Sequence, residues 1–269
     1  MKKSEQKKLL KTGRKFYKKL TRRQQLVVAV VVLIGLAVYF LPSQFGDLKS
    51  FSNQNSQANS DFLKLKWAGS DDYFTEVNGG RATFTQEELR QDSEEDYWLT
   101  FSALDALDRA QQANARLSYD QYMAVKTMKR PRIPNDPIGW YHDGKSNNQE
   151  IYFGNGLVTL YNRSHLVAWM FSGDAGSKEN LVTGTRAMNS PGMQEFETAI
   201  SDVLYYERLH VRYQVTPIYE GAELLPRGVH LMAKSIEDDG KACDFNVYVF
   251  NVQPNYTIDY ATGVGTFKG

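Results

Sequence analysis

In LYNRSHLVAWMFSGDAGSKENLVTGTRAMN, residues 160–189, a histidine follows an arginine at the end of an apolar run, and a glycine-broken loop then leads to an asparagine. Arg163 is a cation able to grip a phosphate through two parallel hydrogen bonds. His165 is a side chain that can accept a proton near neutral pH. Alone, such a histidine is more often a hydrogen-bonded structural residue than a catalyst. The stretch behind it changes the balance, because Asn180, Thr183, Thr185, Arg186 and Asn189 crowd polar groups into ten residues. Ser190-Pro191 reads as a helix N-cap followed by proline at the first helical position. Asn189 then stands just outside that helix, and Glu197 lies on the edge of its buried stripe. Helical side chains lean toward the N-terminus, so Glu197 points back toward Asn189, with a rise of about 9 Å from Pro191 to Glu197. One direct asparagine ligand with a glutamate acting through water suits Mg²⁺, which keeps several waters and takes few protein ligands.

The elements that must position these residues follow from pattern. Glu150–Phe153 and Leu157–Asn162 flank Gly154-Asn155-Gly156 as a hairpin, which puts His165 just past its second strand. Met193, Phe196, Ile200, Val203 and Leu204 form one apolar stripe on a helix running to about Arg208. Residues 73–84 read as a hairpin around Asn78-Gly79-Gly80, and Thr85 with Glu88 as a capping box that opens a helix. Trp98, Phe101, Leu104 and Leu107 recur at helical spacing, predicting a helix through about Leu117. The three prolines of residues 129–139 predict an irregular loop. Runs 211–219, 229–236 and 245–252 alternate as strands. The order fits an α+β class, an antiparallel sheet with packed helices. Of the other histidines, His210 and His230 lie in or beside strands, and His142 falls in a polar loop.

A formal charge of +1 hides a split. The first 23 residues hold eleven Lys/Arg against Glu5, leaving −9 for Gln24–Gly269. Leu26–Leu41 carries no charge and is closed by Pro42. With two preceding glutamines it reaches the lower limit for a spanning helix, roughly 17 residues. No polar face interrupts it, as a core helix would require, and no small-x-small cleavage site follows. The expected organisation is a basic cytoplasmic segment (1–24), one transmembrane signal anchor (25–42), a Ser/Asn/Gln-rich tether (43–65) and an extracellular domain (66–269). This single-pass placement puts the domain at the cell membrane. The single cysteine, Cys243, excludes an internal disulfide and a cysteine-based zinc site.

A strand pair, a histidine beside it and an asparagine at a following helix resemble the ββα-metal motif of the DNA/RNA non-specific endonuclease family. The similarity is to its Gram-positive branch of membrane-anchored DNA-entry nucleases and secreted DNases. It is carried by NRSHLVAW (162–169), NLVTGTRAMN (180–189), FETAISDVL (196–204), VRYQVTPIYEG (211–221) and FNVYVFNVQPNYTIDYATG (245–263), in that order over the latter half of the chain. The family's Asp-Arg-Gly-His motif falls on Asn162-Arg163-Ser164-His165. The resemblance implies His165 as general base, Asn189 as metal ligand, Glu197 behind the metal waters and Asn180 opening the second block. It implies Mg²⁺, with Mn²⁺ as the alternative, and hydrolysis of DNA, with RNA as a second substrate, to 5′-phosphate products. Arg163 or Arg186 would hold the pentacovalent phosphate, and DNA-uptake machinery is an implied partner.

Asn162 and Ser164 depart from that motif, and Gly184 stands where glutamine is common. These departures motivate a rival, a surface DNA receptor with a degenerate nuclease fold. A metal-free acid–base hydrolase using His165 is a more distant one. The −9 balance is awkward for a protein that binds phosphates. Lys126, Lys129, Arg130 and Arg132 are the run expected to compensate as substrate-binding cations, with a solvated loop as the equal alternative. The aromatics Tyr119, Tyr122 and Trp140 are expected in the core rather than as stacking platforms.

Overall fold

Strand-forming residues dominate the chain, and the computed structural model, which describes residues 60–91 and 96–269, assembles six of the strands into one antiparallel sheet. In chain order the elements begin with β1 (Phe74–Glu76), α1 (Gln86–Gln91), β2 (Trp98–Phe101), β3 (Ala113–Leu117) and α2 (Tyr119–Lys126). Short pairs follow: β4 (Tyr141–His142) with β5 (Lys145–Ser146), and β6 (Glu150–Phe153) with β7 (Gly156–Thr159). Next come β8 (Tyr161–His165), α3 (Trp169–Ser172), β9 (Leu181–Thr185) and α4 (Gln194–Asp202). The chain closes with β10 (Val211–Ile218), β11 (Gly228–Ser235), β12 (Asp244–Phe250), β13 (Tyr256–Ile258) and β14 (Gly265–Phe267).

The large sheet has the order β1-β12-β11-β10-β3-β2. Its three long strands alternate as their sequences require. Val211, Tyr213, Val215, Val229, Leu231, Val247 and Val249 point to one face, where α4 lays Phe196 and Ile200 on them. The opposite face carries Tyr248 and Phe250, covered by Phe62. Residues 60–65, assigned above to the tether, thus already pack on the sheet, and Phe62 is the residue that seats them. The expected anchor and the segment before it lie outside the described residues. Among the described residues no helix is long and apolar enough to cross a membrane.

Four local expectations change. Phe74–Glu76 pairs with β12, at Phe74↔Val249, rather than with residues 81–84. Asn78, Gly79 and Gly80 do take the positive φ of a tight turn, but the chain beyond it forms no return strand and is held by side chains, Asn246 donating to Arg81 O and Asp244 accepting from Ala82 N–H. The helix expected over 98–117 is two strands, paired at Trp98↔Arg116 and Phe101↔Ala113. Between them the Asp105 carboxylate accepts from the backbone N–H groups of Leu107 and Arg109, a local bond that competes with helix.

Ser190 has a cap-like extended backbone (φ −153°, ψ 116°), yet its hydroxyl donates to Gln194 Oε1 and no cap bond forms. The regular helix therefore starts at Gln194. Finally, Leu157–Asn162 is not one strand. The chain breaks at Leu160, whose N–H donates to Gln149 O, and β8 begins there with a different partner, β9. His165 is consequently the last residue of the first strand of its hairpin. The capping box does form, with Glu88 N–H donating to Thr85 Oγ1 at 3.2 Å and Thr85 N–H to Glu88 Oε2 at 2.7 Å.

Candidate active site

The hairpin β8–β9 and helix α4 hold the site. Cross-strand partners share a face, so Arg163 and His165 lie on the side of Thr183 and Leu181, whereas Asn162 and Ser164 lie with Gly184 and Val182. On that second face a Cβ at Gly184 would meet Ser164 Oγ and Met188 Cε, each at 2.3 Å. Ser164 and Gly184 thus occupy buried space behind the hairpin. Both departures from the family motif thus lie on the face away from His165.

The long connection between β8 and β9 is tied from within by Asn180, which is fully buried. Its Oδ1 accepts from Val167 N–H at 2.9 Å, and its Nδ2 donates to Val167 O at 3.1 Å and Asp174 Oδ2 at 3.0 Å. Asp174 Oδ1 accepts from the N–H of Gly176 and the N–H and hydroxyl of Ser177. Burial works to raise the Asp174 pKa, but these hydrogen bonds outweigh it and hold the carboxyl below its ordinary value. The clamp fixes Ala175, whose carbonyl sits 3.3 Å from His165 Nε2. A carbonyl can only accept, so Nε2 carries the proton and Nδ1 is the basic nitrogen. His165 is 7% exposed; burial, and then the Arg130 guanidinium, lower its pKa and favour the neutral ring at pH 7.

A cavity of about 410 Å³ gathers His165, Arg130, Trp169, Arg186, Asn189 and Glu197, with Gln194 and Ser201 along the helix. Glu197 is the group least at ease there. Burial pushes its carboxyl up to about 7, against the pull of Arg130. Among the described residues neither its carboxylate nor the Asn189 side chain has a hydrogen-bond or ion-pair partner, and no group of three or more His, Cys, Asp or Glu is arranged to hold a metal ion. One amide oxygen and one unpartnered carboxylate facing one cavity fit a strongly hydrated divalent cation and do not fit a multi-ligand zinc centre.

The expected residues do not all meet. His165, Asn189, Glu197, Arg186 and Arg130 converge. Asn180 is a structural clamp rather than a substrate contact. Arg163 shares the His165 face, yet Asp136 from the proline-rich loop captures its guanidinium at 2.5 Å, and the ring of Trp140 lies 4.4 Å beneath it. That ion pair removes it from the cavity. Of the basic run, only Arg130 lines the cavity; Lys129 and Arg132 are exposed outside it. Trp140 is buried in a satellite core, as expected. Sequence reading passed over Gln194, Ser201 and Trp169. The first two lie three residues before and four after Glu197, on its own helix face, a signal present in the spacing. Trp169, whose buried indole N–H has no partner, carried no such signal.

The same architecture occurs in solved structures. NucA from Streptococcus agalactiae, crystallised with a magnesium ion bound, superposes with a TM-score of 0.63 at 24% identity, over 80% of this chain and 96% of that one. At that identity the likeness is one of fold. The Sda1 nuclease with a bound zinc ion gives a TM-score of 0.62 at 26% identity, over 72% and 96% of the two chains. A deoxyribonuclease of Streptococcus dysgalactiae subsp. equisimilis is 33% identical over 109 residues, which span 39% of this chain and about a third (32%) of that protein. The sequence model of DNA/RNA non-specific endonucleases matches residues 88–237, more than half of the chain, which therefore belongs to that family.

Proposed function

We propose that the chain is a divalent-metal-dependent endonuclease that cuts DNA, and RNA as a second substrate, without sequence preference. The observation that carries this reading is the convergence of His165, Asn189, Glu197, Arg130 and Arg186 on one cavity. His165 Nδ1 takes the proton of a water that attacks the phosphorus, while Ala175 O holds the ring's other nitrogen in place. Arg130 and Arg186, which make no ion pair among the described residues, grip the non-bridging oxygens. Asn189 Oδ1 would hold Mg²⁺ directly, and Glu197 would orient its waters. When bound, the cation supplies positive charge at the phosphate and at the departing 3′ oxygen. A neutral amide as direct ligand is sufficient because the substrate brings its own negative charge.

The proposal includes a surface location, with the apolar run at residues 26–41 as a single-pass anchor and the catalytic domain outside. The basic segment preceding the anchor supports that orientation, and DNA uptake is the associated partner process, supported by the resemblance to membrane-anchored DNA-entry nucleases.

Plasmid nicking by the purified chain tests the activity. Nicking in Mg²⁺, abolished by EDTA and by His165→Ala with DNA binding retained, is the expected result. EDTA-resistant cleavage would favour the metal-free hydrolase, and binding without cleavage by the wild type would favour the receptor.

A further inference from the structure

Beyond the cavity, α4 ends in a wide π turn, Val203–Glu207, capped by Arg208 in the left-handed conformation (φ 56°). Val203 and Leu204 are buried, and the turn then releases two successive tyrosines outward. Tyr206 is 73% exposed and Tyr205 40%, with ring centroids 4.9 Å apart and nearly perpendicular. A π turn adds a residue to the helical repeat, which is how neighbouring side chains can both emerge on one side.

Helix α2 approaches this turn and places the Lys126 ammonium 4.6 Å from the centre of the Tyr205 ring. Both chain routes lead back to the cavity in four residues: Tyr205 to Ser201 on the helix, Lys126 to Arg130 on the loop. The rise from Glu197 to Tyr205 is about 12 Å. Carboxylates also lie nearby, on Asp202 and Glu207 of the same segment and Asp120 of α2, so the feature is not a bare cationic patch. Its distinguishing content is an exposed aromatic ring beside a ring-mounted cation, about one helical turn beyond Ser201 at the edge of the cavity and about two beyond Glu197.

We propose that Tyr206, with the Tyr205–Lys126 pair behind it, is a stacking platform for an unpaired base of the nucleic-acid strand leaving the cavity. Lys126 takes the adjoining phosphate. This rests on the nuclease reading and adds to it a substrate class, single-stranded or frayed ends. A protruding ring has a π-face to offer an unstacked base, whereas the bases of an intact duplex are already stacked on each other. Sequence does not matter to such a contact, because every base has a π-face.

The test uses the full chain carrying His165→Ala, so that binding is read without cleavage, with a single-stranded oligonucleotide and a blunt duplex of the same length as probes. Tyr205→Ala/Tyr206→Ala should weaken the single strand by about fivefold or more, leave the duplex within about twofold, and be rescued by Tyr205→Phe/Tyr206→Phe. Equal weakening of both probes, or of neither, overturns the platform while leaving the nuclease reading intact. Failure of the parent His165→Ala protein to bind either probe overturns both.

Discussion

Asn180 holds Val167 by both of its backbone groups, accepting from the N–H at 2.9 Å and donating to the carbonyl at 3.1 Å, while its amide also reaches Asp174. This one buried amide closes the loop whose Ala175 carbonyl orients His165. Asn180→Ala removes three hydrogen bonds and strands buried partners, so a loss of about 3 kcal/mol in urea unfolding is expected, at roughly 1 kcal/mol per bond. The variant's kcat should fall further than its DNA affinity. A fall confined to affinity would instead make Asn180 a substrate contact.

Arg130 opposes protonation of His165, and its removal should raise the histidine's pKa. In the proposed mechanism the reacting form is the neutral ring, so activity is lost as pH falls through that pKa, which lies below the ordinary 6.5. The acid limb of kcat/KM for wild type should accordingly fall below pH 6.5, and that of Arg130→Gln should move upward. A profile that does not shift would place Arg130 outside the electrostatic reach of the base.

Glu197 gives a pH signature in the cation-free protein. The folded state keeps the proton up to about pH 7, whereas the unfolded chain releases it near 4.5. Between those values the native state binds more protons, so stability attributable to this group declines as pH rises. Glu197→Gln should flatten that decline in thermal melts without metal. Added Mg²⁺ should stabilise wild type more at pH 8 than at pH 5, and Glu197→Gln less at either pH. Catalysis in Mg²⁺ should nevertheless drop in the variant. An unchanged melting profile would show that Glu197 is freely hydrated.

The basic loop is expected to divide into one phosphate contact and two bystanders. Arg130→Ala alone should flatten the log–log salt dependence of duplex binding by about 0.9, one lost phosphate contact. Lys129→Ala/Arg132→Ala should flatten it by less than that single change, since neither residue lines the cavity. A larger effect from the double variant would mean that the duplex crosses the outer face of the loop.

The three long strands, the α4 stripe and the capping box at Thr85 could be read from order and period, and the candidate catalytic residues His165, Asn189 and Glu197 from their spacing together with the family resemblance. Each rests on interactions within a few residues, or on a polar type at a fixed offset from a helix. Partnership was not legible. Trp98–Phe101 reads as helix by spacing and becomes a strand because β3 supplies its hydrogen bonds. Phe74–Glu76 carries the correct turn residues behind it and still pairs with a strand some 170 residues on.

Within the site, the sequence by itself determined the chemical inventory: one histidine at a strand end, one amide just ahead of a helix and one carboxylate on it, and cations near them. Only the tertiary structure decided which cations face the cavity. Arg163 lies on the His165 face by its strand parity, and it is Asp136, 27 residues earlier, that takes its charge. Arg130 has no local mark setting it apart from Lys129 and Arg132, yet it alone of the three lines the cavity. Periodicity fixes the face on which a side chain starts. The partner that captures its charged end comes from elsewhere in the chain, and a long flexible side chain goes where that partner is.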